Sequence, residues 1–215
     1  MSIICLSDLS VGYRTGPDVL GHLSLEVQPG LTHLRGANGT GKSTLVETVA
    51  GTLSARSGRV QVYGRDPHAA RPLRRVCRSQ AGLYPTLTLR EHLELLGRAG
   101  ALREEVLDRC RAYGVDDWLD TPTEQLSTGN RQKAWIVLST AADVALWLMD
   151  EPFNGLDTQG TEVLCAEIRQ RVHAGRDVVL VAHHLPPALS PDDVQDLVGS
   201  AGVRRSGAGV EGSAP

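Results

Sequence analysis

Two apolar runs stand out from an otherwise mixed pattern, Val-Ala-Leu-Trp-Leu-Met at 144–149 and Val-Val-Leu-Val-Ala at 178–182. Each has the length and branching of a parallel strand covered on both faces. Both fall far short of the roughly 20 residues of a bilayer span, so the chain is not expected to cross a membrane by itself. Further strands are expected over 3–6, 23–27, 31–34 and, from its alternation, 59–63, with Gly12, Gly16 and Pro17 marking a turn region between the first two. Helical spacing begins at Thr88. Thr88-Leu89-Arg90-Glu91 has the form of a capping box, followed by Leu93, Leu96 and Ala99. Leu102, Val106, Cys110 and Tyr113 make a second amphipathic helix that Gly114 stops, and a third runs from Ser127 to about Ala141. Strand 144–149, helix 158–173 and strand 177–182 then alternate. The chain therefore reads as an α/β domain interrupted by an all-helical block of about fifty residues. Residues 71–78 are basic and receive no firm element, and the region after His184, with Pro186-Pro187 and Asp192-Asp193, suggests none. Residues 206–215 are rich in Gly, Ser and Ala and are expected to form a disordered tail.

One segment carries chemistry on its own. Gly36-Ala37-Asn38-Gly39-Thr40-Gly41-Lys42-Ser43 matches G-x-x-x-x-G-K-[ST] at every defined position. Glycines let the main chain curl so that successive N–H groups point at a polyphosphate. Lys42 can reach the β- and γ-phosphates, and the Ser43 hydroxyl can ligate Mg²⁺. A strand ends just before the loop, and a helix from Ser43 to Ala50, stopped by Gly51, follows it and brings its positive end under the phosphates. At average glycine content the pattern arises by chance in roughly one chain of this size in a hundred.

Composition narrows the class. At 215 residues the chain suits one large α/β domain or a domain with an insert. A net charge of -3 argues against an electrostatic nucleic-acid partner. Cys5, Cys77, Cys110 and Cys165 are widely spaced, which suggests reduced thiols rather than a zinc site. The segment Met1 to Asp8 has no basic region or long apolar stretch, so no secretory signal is expected.

Two acids, Asp150 and Glu151, follow the apolar run at 144–149. A carboxylate at a strand's end can hold Mg²⁺ beside a phosphate loop, and the next, pointing elsewhere, can polarise an attacking water. Between loop and acids lies Leu126-Ser127-Thr128-Gly129-Asn130, at a helix start. With this segment the chain resembles the nucleotide-binding domain of ATP-binding cassette (ABC) proteins, whose signature is L-S-G-G-Q. The Leu, the Ser and the second Gly are kept, while Thr128 and Asn130 depart from it and put full turnover in question. Gln80-Ala81-Gly82-Leu83-Tyr84-Pro85 resembles the family's Q-loop, and Asn154-Gly155-Leu156-Asp157 its D-loop. His183 resembles the switch histidine; His184 is the alternative, since it stands where the family often has Asp. Tyr13 matches the aromatic residue that stacks on adenine. The likeness spans about residues 3–190.

The resemblance implies an α/β P-loop NTPase fold. Its RecA-like core would occupy 1–82 and 142–205, with an N-terminal antiparallel β subdomain and a helical subdomain at 83–141. It implies ATP and Mg²⁺ as ligands. Tyr13, Gly36, Asn38, Gly39, Thr40, Gly41, Lys42, Ser43 and Thr44 would bind the nucleotide, and Ser43, Gln80 and Asp150 would organise the metal. Lys42, Gln80, Glu151 as general base and His183 would serve catalysis. Ser127 and Gly129 would cap the γ-phosphate bound to a second cassette in a homo- or heterodimer, with Asp157 at the seam. The implied partner is a membrane-spanning permease on a separate chain, at the cytoplasmic face of the membrane, with no nucleic acid. Leu83 and Tyr84 are placed either near the permease groove or in internal packing. The stretch from Gly82 to Leu93 resembles bacterial exporters of the drug, antibiotic-peptide or haem type. A soluble or regulatory ABC ATPase, or a weakly hydrolysing module, is the alternative.

Overall fold

The apolar runs become adjacent central strands of a six-stranded sheet in a computed structural model that describes residues 1–98, 105–198 and 203–206. In chain order the elements are β1 (Ile4–Val11), β2 (Leu20–Val27), β3 (Leu31–Arg35), α1 (Lys42–Val49), β4 (Ser57–Val62), β5 (Arg74–Cys77), α2 (Leu89–Arg98), α3 (Glu105–Tyr113), α4 (Thr128–Ser139), β6 (Leu146–Asp150), α5 (Thr158–His173), β7 (Asp177–Val181), β8 (Asp193–Leu197) and β9 (Val203–Ser206). The large sheet has the order β5-β6-β7-β3-β8-β9, parallel except for β9, and a small antiparallel sheet has the order β2-β1-β4.

The large sheet is buried on both faces, which explains the apolar runs of β6 and β7. Successive side chains of a strand point to opposite faces. Leu146, Leu148, Val179 and Val181 therefore join a core with α1 and the small sheet, through Leu45, Val46, Val49, Leu6 and Val62. Trp147, Met149, Val178 and Leu180 join a second core with α3, α4 and α5, through Val106, Cys110, Ile136, Leu164 and Ile168. Among the described residues no helix is long and apolar enough to cross a membrane.

Local signals fare well. The capping box at the start of α2 is reciprocal: the Thr88 N–H donates to Glu91 Oε2 at 2.7 Å and the Glu91 N–H to Thr88 Oγ1 at 3.1 Å. Gly114, at φ +66°, ends α3 as expected. Ala99 and Leu102 lie outside the described residues, as do 207–215, while Ser206 closes β9 rather than opening a tail.

The differences have physical reasons. The first two strands run longer than their apolar cores, because pairing reaches Ser10 and Val11 on β1 and Leu20 on β2, close to the loop. The basic run at 71–78 contains β5, whose Arg74 is buried and donates to the Ala50 carbonyl at 2.6 Å. β8 is polar because it spends its side chains on neighbours: buried Gln195 donates to the Glu26 carbonyl at 2.8 Å, and Asp196 pairs with Arg35. Leu83 packs against the core while Tyr84 is exposed, so the two residues placed together in the sequence part company.

Candidate functional site

Sheet register assembles the site. Leu34 on β3 and Asp150 on β6 both lie level with Val181 on β7. Three adjacent parallel strands, about 4.8 Å apart, therefore end side by side. The phosphate loop, His183 and the Asp150–Glu151 pair leave from those ends.

Within the loop, Gly39 and Gly41 take φ of +81° and +94°, where glycine carries no steric penalty. A Cβ on Gly41 would also stand 2.5 Å from Leu20 Cδ2. Thr40 Oγ1 donates to the Ala37 carbonyl at 2.9 Å and tightens the curl. Gly41 is the N-cap of α1 and supplies no side chain, and the first turn of the helix has no acid, so its end keeps positive potential for an anion. Lys42 is buried and folds back, its Nζ donating to the Gly36 and Ala37 carbonyls at 2.7 and 3.1 Å.

A cavity of about 280 Å³ opens over this loop, lined by Asn38, Gly39, Gly41, Lys42, Ser43 and Thr44 on one side, Asp150 and Glu151 on the other, with Val19 at the rim. Ser43 Oγ donates to Asp150 Oδ2 at 2.9 Å. Burial pushes the Asp150 carboxyl up, and repulsion from Glu151 adds to this, while hydrogen bonds from Ser43 and Ser79 and the charge of Lys42 oppose it. A buried carboxylate with a hydroxyl 2.9 Å away is an oxygen donor set that fits Mg²⁺. Glu151 sits at φ +48°, a left-handed conformation unusual for a residue with a side chain, and its N–H donates to the Val181 carbonyl at 2.7 Å. This kink turns the chain out of β6 immediately after Asp150, so the two acids do not share a direction.

His183 and Tyr13 are not part of this lining, but each reaches a residue of it. His183 Nε2 and Asn38 Oδ1 are 2.7 Å apart, which ties the end of β7 to the loop, while the His184 ring lies 6.3 Å from that of His183. The Tyr13 hydroxyl lies 3.3 Å from Thr44 Oγ1, and its ring is exposed above α1.

Gly36, Thr40, Gln80, Ser127, Gly129 and Asp157 do not line this cavity either. Gln80 is exposed just past β5, beside the acids' strand. Ser127 is exposed and caps α4, accepting the Asn130 N–H at 3.1 Å. A Cβ on Gly129 would meet the Gly155 carbonyl at 3.1 Å, so the starts of α4 and α5 touch within one chain. Asp157 caps α5, accepting the Gly160 N–H at 2.8 Å and the Lys133 ammonium at 2.7 Å.

The Asp157 pair makes a stability prediction. Asp157→Ala removes a helix cap, worth about 1 kcal/mol. It also leaves Lys133, whose side chain is only 7% exposed, without its carboxylate, at a further cost of about 1 kcal/mol or more. Urea unfolding at neutral pH is expected to show a loss of about 2 kcal/mol. The Lys133 and Gly160 hydrogen bonds hold the Asp157 carboxyl below the usual range. Its contribution is therefore present above the ordinary carboxylate pKa and vanishes as pH falls through the depressed folded value. Parent and variant should converge in acid; equal stability at neutral pH would show the pair to be idle.

Sequence reading missed Ser79, whose hydroxyl favours the ionised form of Asp150, and Lys133, which grips Asp157. A lone serine gives no signal. Lys133 was visible only as a charge in an otherwise buried stretch of α4. A second cavity, of about 370 Å³, lies at the other end of β6, lined by Arg109, Arg171, Arg176 and Trp147. Arg109 pairs with Glu167 and Arg176 with Asp143, and the carboxyl ends of α4 and α5 converge there, so these arginines offset negative helix ends.

Comparison with known proteins agrees with this geometry. A family model described as ABC transporter matches residues 20–154. The ABC-type transporter ATP-binding protein EcsA of Bacillus subtilis is 30% identical over 217 residues, covering 96% of this chain and 87% of EcsA. The cytochrome c biogenesis ATP-binding export protein CcmA of Novosphingobium aromaticivorans is 36% identical over 181 residues, covering 83% and 88%. A solved structure of an ATP-binding subunit of an ABC transporter superposes with a TM-score of 0.83 at 28% identity, covering 96% of this chain and 90% of that one. The chain belongs to the ABC transporter ATP-binding family, and its fold is the ABC ATPase cassette.

Proposed function

We propose that this protein is the ATP-hydrolysing subunit of a transporter whose membrane-spanning part is a separate chain, and that it works at the cytoplasmic face of the membrane as one half of a cassette dimer. The observation that carries the reading is one cavity shared by the phosphate loop, Asp150 and Glu151, with His183 bonded to Asn38 of that loop. The name of its relative EcsA, an ABC-type transporter ATP-binding protein, supports the coupling to transport.

In this reading Tyr13 stacks on the base and the amides of the loop hold the phosphates. Lys42 leaves the Gly36 and Ala37 carbonyls for the β- and γ-phosphates. Ser43 and Asp150 would hold Mg²⁺, joined by Gln80 once it swings in from the end of β5, and the ion when bound would neutralise phosphate charge. Phosphoryl transfer needs positioning and charge neutralisation more than covalent help from the protein. Glu151, turned away from the metal side by its backbone kink, accepts a proton from the attacking water. The water oxygen bonds the γ-phosphorus as the bond to the β–γ bridging oxygen breaks, leaving ADP and phosphate. His183 swaps Asn38 for the γ-phosphate.

Ser127 and Gly129 lie outside their own chain's cavity, which fits a role on a second cassette's nucleotide. Charge on the γ-phosphate then holds two chains together, and its loss lets them part. Exposed Tyr84, stacked on His92 with ring centroids 5.9 Å apart, presents an apolar ring beside the Gln80 loop for the permease.

Two measurements test this. The purified chain, alone or with its membrane partner, is expected to release phosphate from Mg-ATP. A tagged chain recovered from detergent-solubilised membranes should carry a polytopic membrane protein with it. Absence of both results would refute the reading.

A further inference from the structure

Tyr13 and Val19 stand at opposite ends of a loop between β1 and β2, and that loop is fastened by one side chain from outside it. Arg56, just before β4, donates from Nη1 to Asp18 Oδ1 at 2.7 Å and from Nη2 to the Arg14 carbonyl at 2.8 Å and the Tyr13 carbonyl at 3.5 Å. Its own N–H donates to the Ser10 carbonyl at 2.8 Å, so the arginine is anchored to the end of β1. Gly12 makes room for it: a Cβ there would lie 2.9 Å from the Arg56 guanidinium carbon and 2.5 Å from the Pro17 carbonyl oxygen. The loop's own main-chain bonds are few: Gly16 N–H to the Tyr13 carbonyl at 3.0 Å inside it, and Val19 N–H to the Val11 carbonyl at 2.7 Å at its base. Arg14, at φ +44°, turns the chain back sharply between them.

We infer that Arg56 is a positioning residue for nucleotide-base recognition, gripping both ends of the 12–18 loop so that Tyr13 and Val19 are already in place when ATP arrives. The inference rests on the proposed ATP site and adds to it a residue that touches neither phosphate nor metal. The planar guanidinium reaches a carboxylate and two carbonyls at once, which a lysine ammonium on a flexible stem does not reproduce. As an ion pair, Arg56–Asp18 is half-exposed and by itself worth little. Its effect comes from ordering a loop before binding rather than at binding.

The test separates base from phosphate. Calorimetric titration of the full chain compares Mg-ATP with Mg-tripolyphosphate, which has no base. Arg56→Ala is expected to weaken Mg-ATP about fivefold to tenfold, the scale on which ordering a few side chains acts, and to leave Mg-tripolyphosphate affinity unchanged. Arg56→Lys should lose nearly as much as Arg56→Ala, and Asp18→Asn should lose part. Thermal unfolding of each variant checks that the fold persists, and Asp18→Asn keeps the test alive if Arg56→Ala does not fold. Unchanged ATP affinity in Arg56→Ala, or equal losses for both ligands, overturns the inference. A parent chain that binds neither ligand overturns the ATP site itself, and the inference falls with it.

Discussion

Glu151→Gln is expected to lower steady-state ATP turnover by about 10²–10⁴-fold, the usual contribution of a general base, while ATP binding persists. The amide matches the carboxylate in shape and cannot take a proton from water. Little else should change. The left-handed backbone at Glu151 is held by its N–H to the Val181 carbonyl, and Asn154 N–H bonds its carbonyl at 3.2 Å, neither of which involves the side chain. One side effect has a definite sign. Repulsion from Glu151 helps to push the Asp150 carboxyl up. Removing that charge makes Asp150 ionise more readily, so affinity for Mg-ATP should hold or rise. Single-turnover hydrolysis beside nucleotide titration reads both. Turnover within about threefold of the parent would remove Glu151 from the role of base.

Lys42→Ala is expected to weaken Mg-ATP binding by about 100-fold or more, since charge-assisted contacts to phosphate are among the strong ones. The fold should survive, because the curl of the loop is set by Gly39, Gly41 and the Thr40–Ala37 bond rather than by the Lys42 side chain. The loss should extend to Mg-tripolyphosphate, because the ammonium contacts phosphate and not the base. This distinguishes it from Arg56→Ala, for which the two ligands should separate. Affinity for both ligands equal to that of the parent would contradict the role given to Lys42.

Features written in a few adjacent residues were legible in the sequence. The phosphate loop, the capping box at Thr88 and the stop at Gly114 each depend on local geometry that only certain residues permit. Strands β6 and β7 were legible because both faces of the sheet are covered, so Leu146–Met149 and Val178–Val181 had to be apolar. What escaped was polarity put to structural use. β5 hides Arg74 by handing its charge to the Ala50 carbonyl, and β8 buries Gln195 against Glu26. Nothing local distinguishes such residues from a solvated loop. The same holds for Leu83, which packs on the core, and Tyr84, which stacks on His92 of α2 and stays exposed. Arg56 lies 38 residues from Asp18, and only the folded chain shows that they meet.

The central claim is that a triphosphate held by one chain's loop is sealed by the serine that caps α4 of a second cassette. The most direct measurement is a structure of Glu151→Gln bound to Mg-ATP in its closed assembly, with whatever cassette partner it takes. The account predicts Ser127 Oγ of this chain, and the N–H of Gly129, within about 3 Å of a γ-phosphate oxygen on the facing cassette's nucleotide. A closed assembly with ATP in place and Ser127 turned to solvent, far from any γ-phosphate, would contradict it.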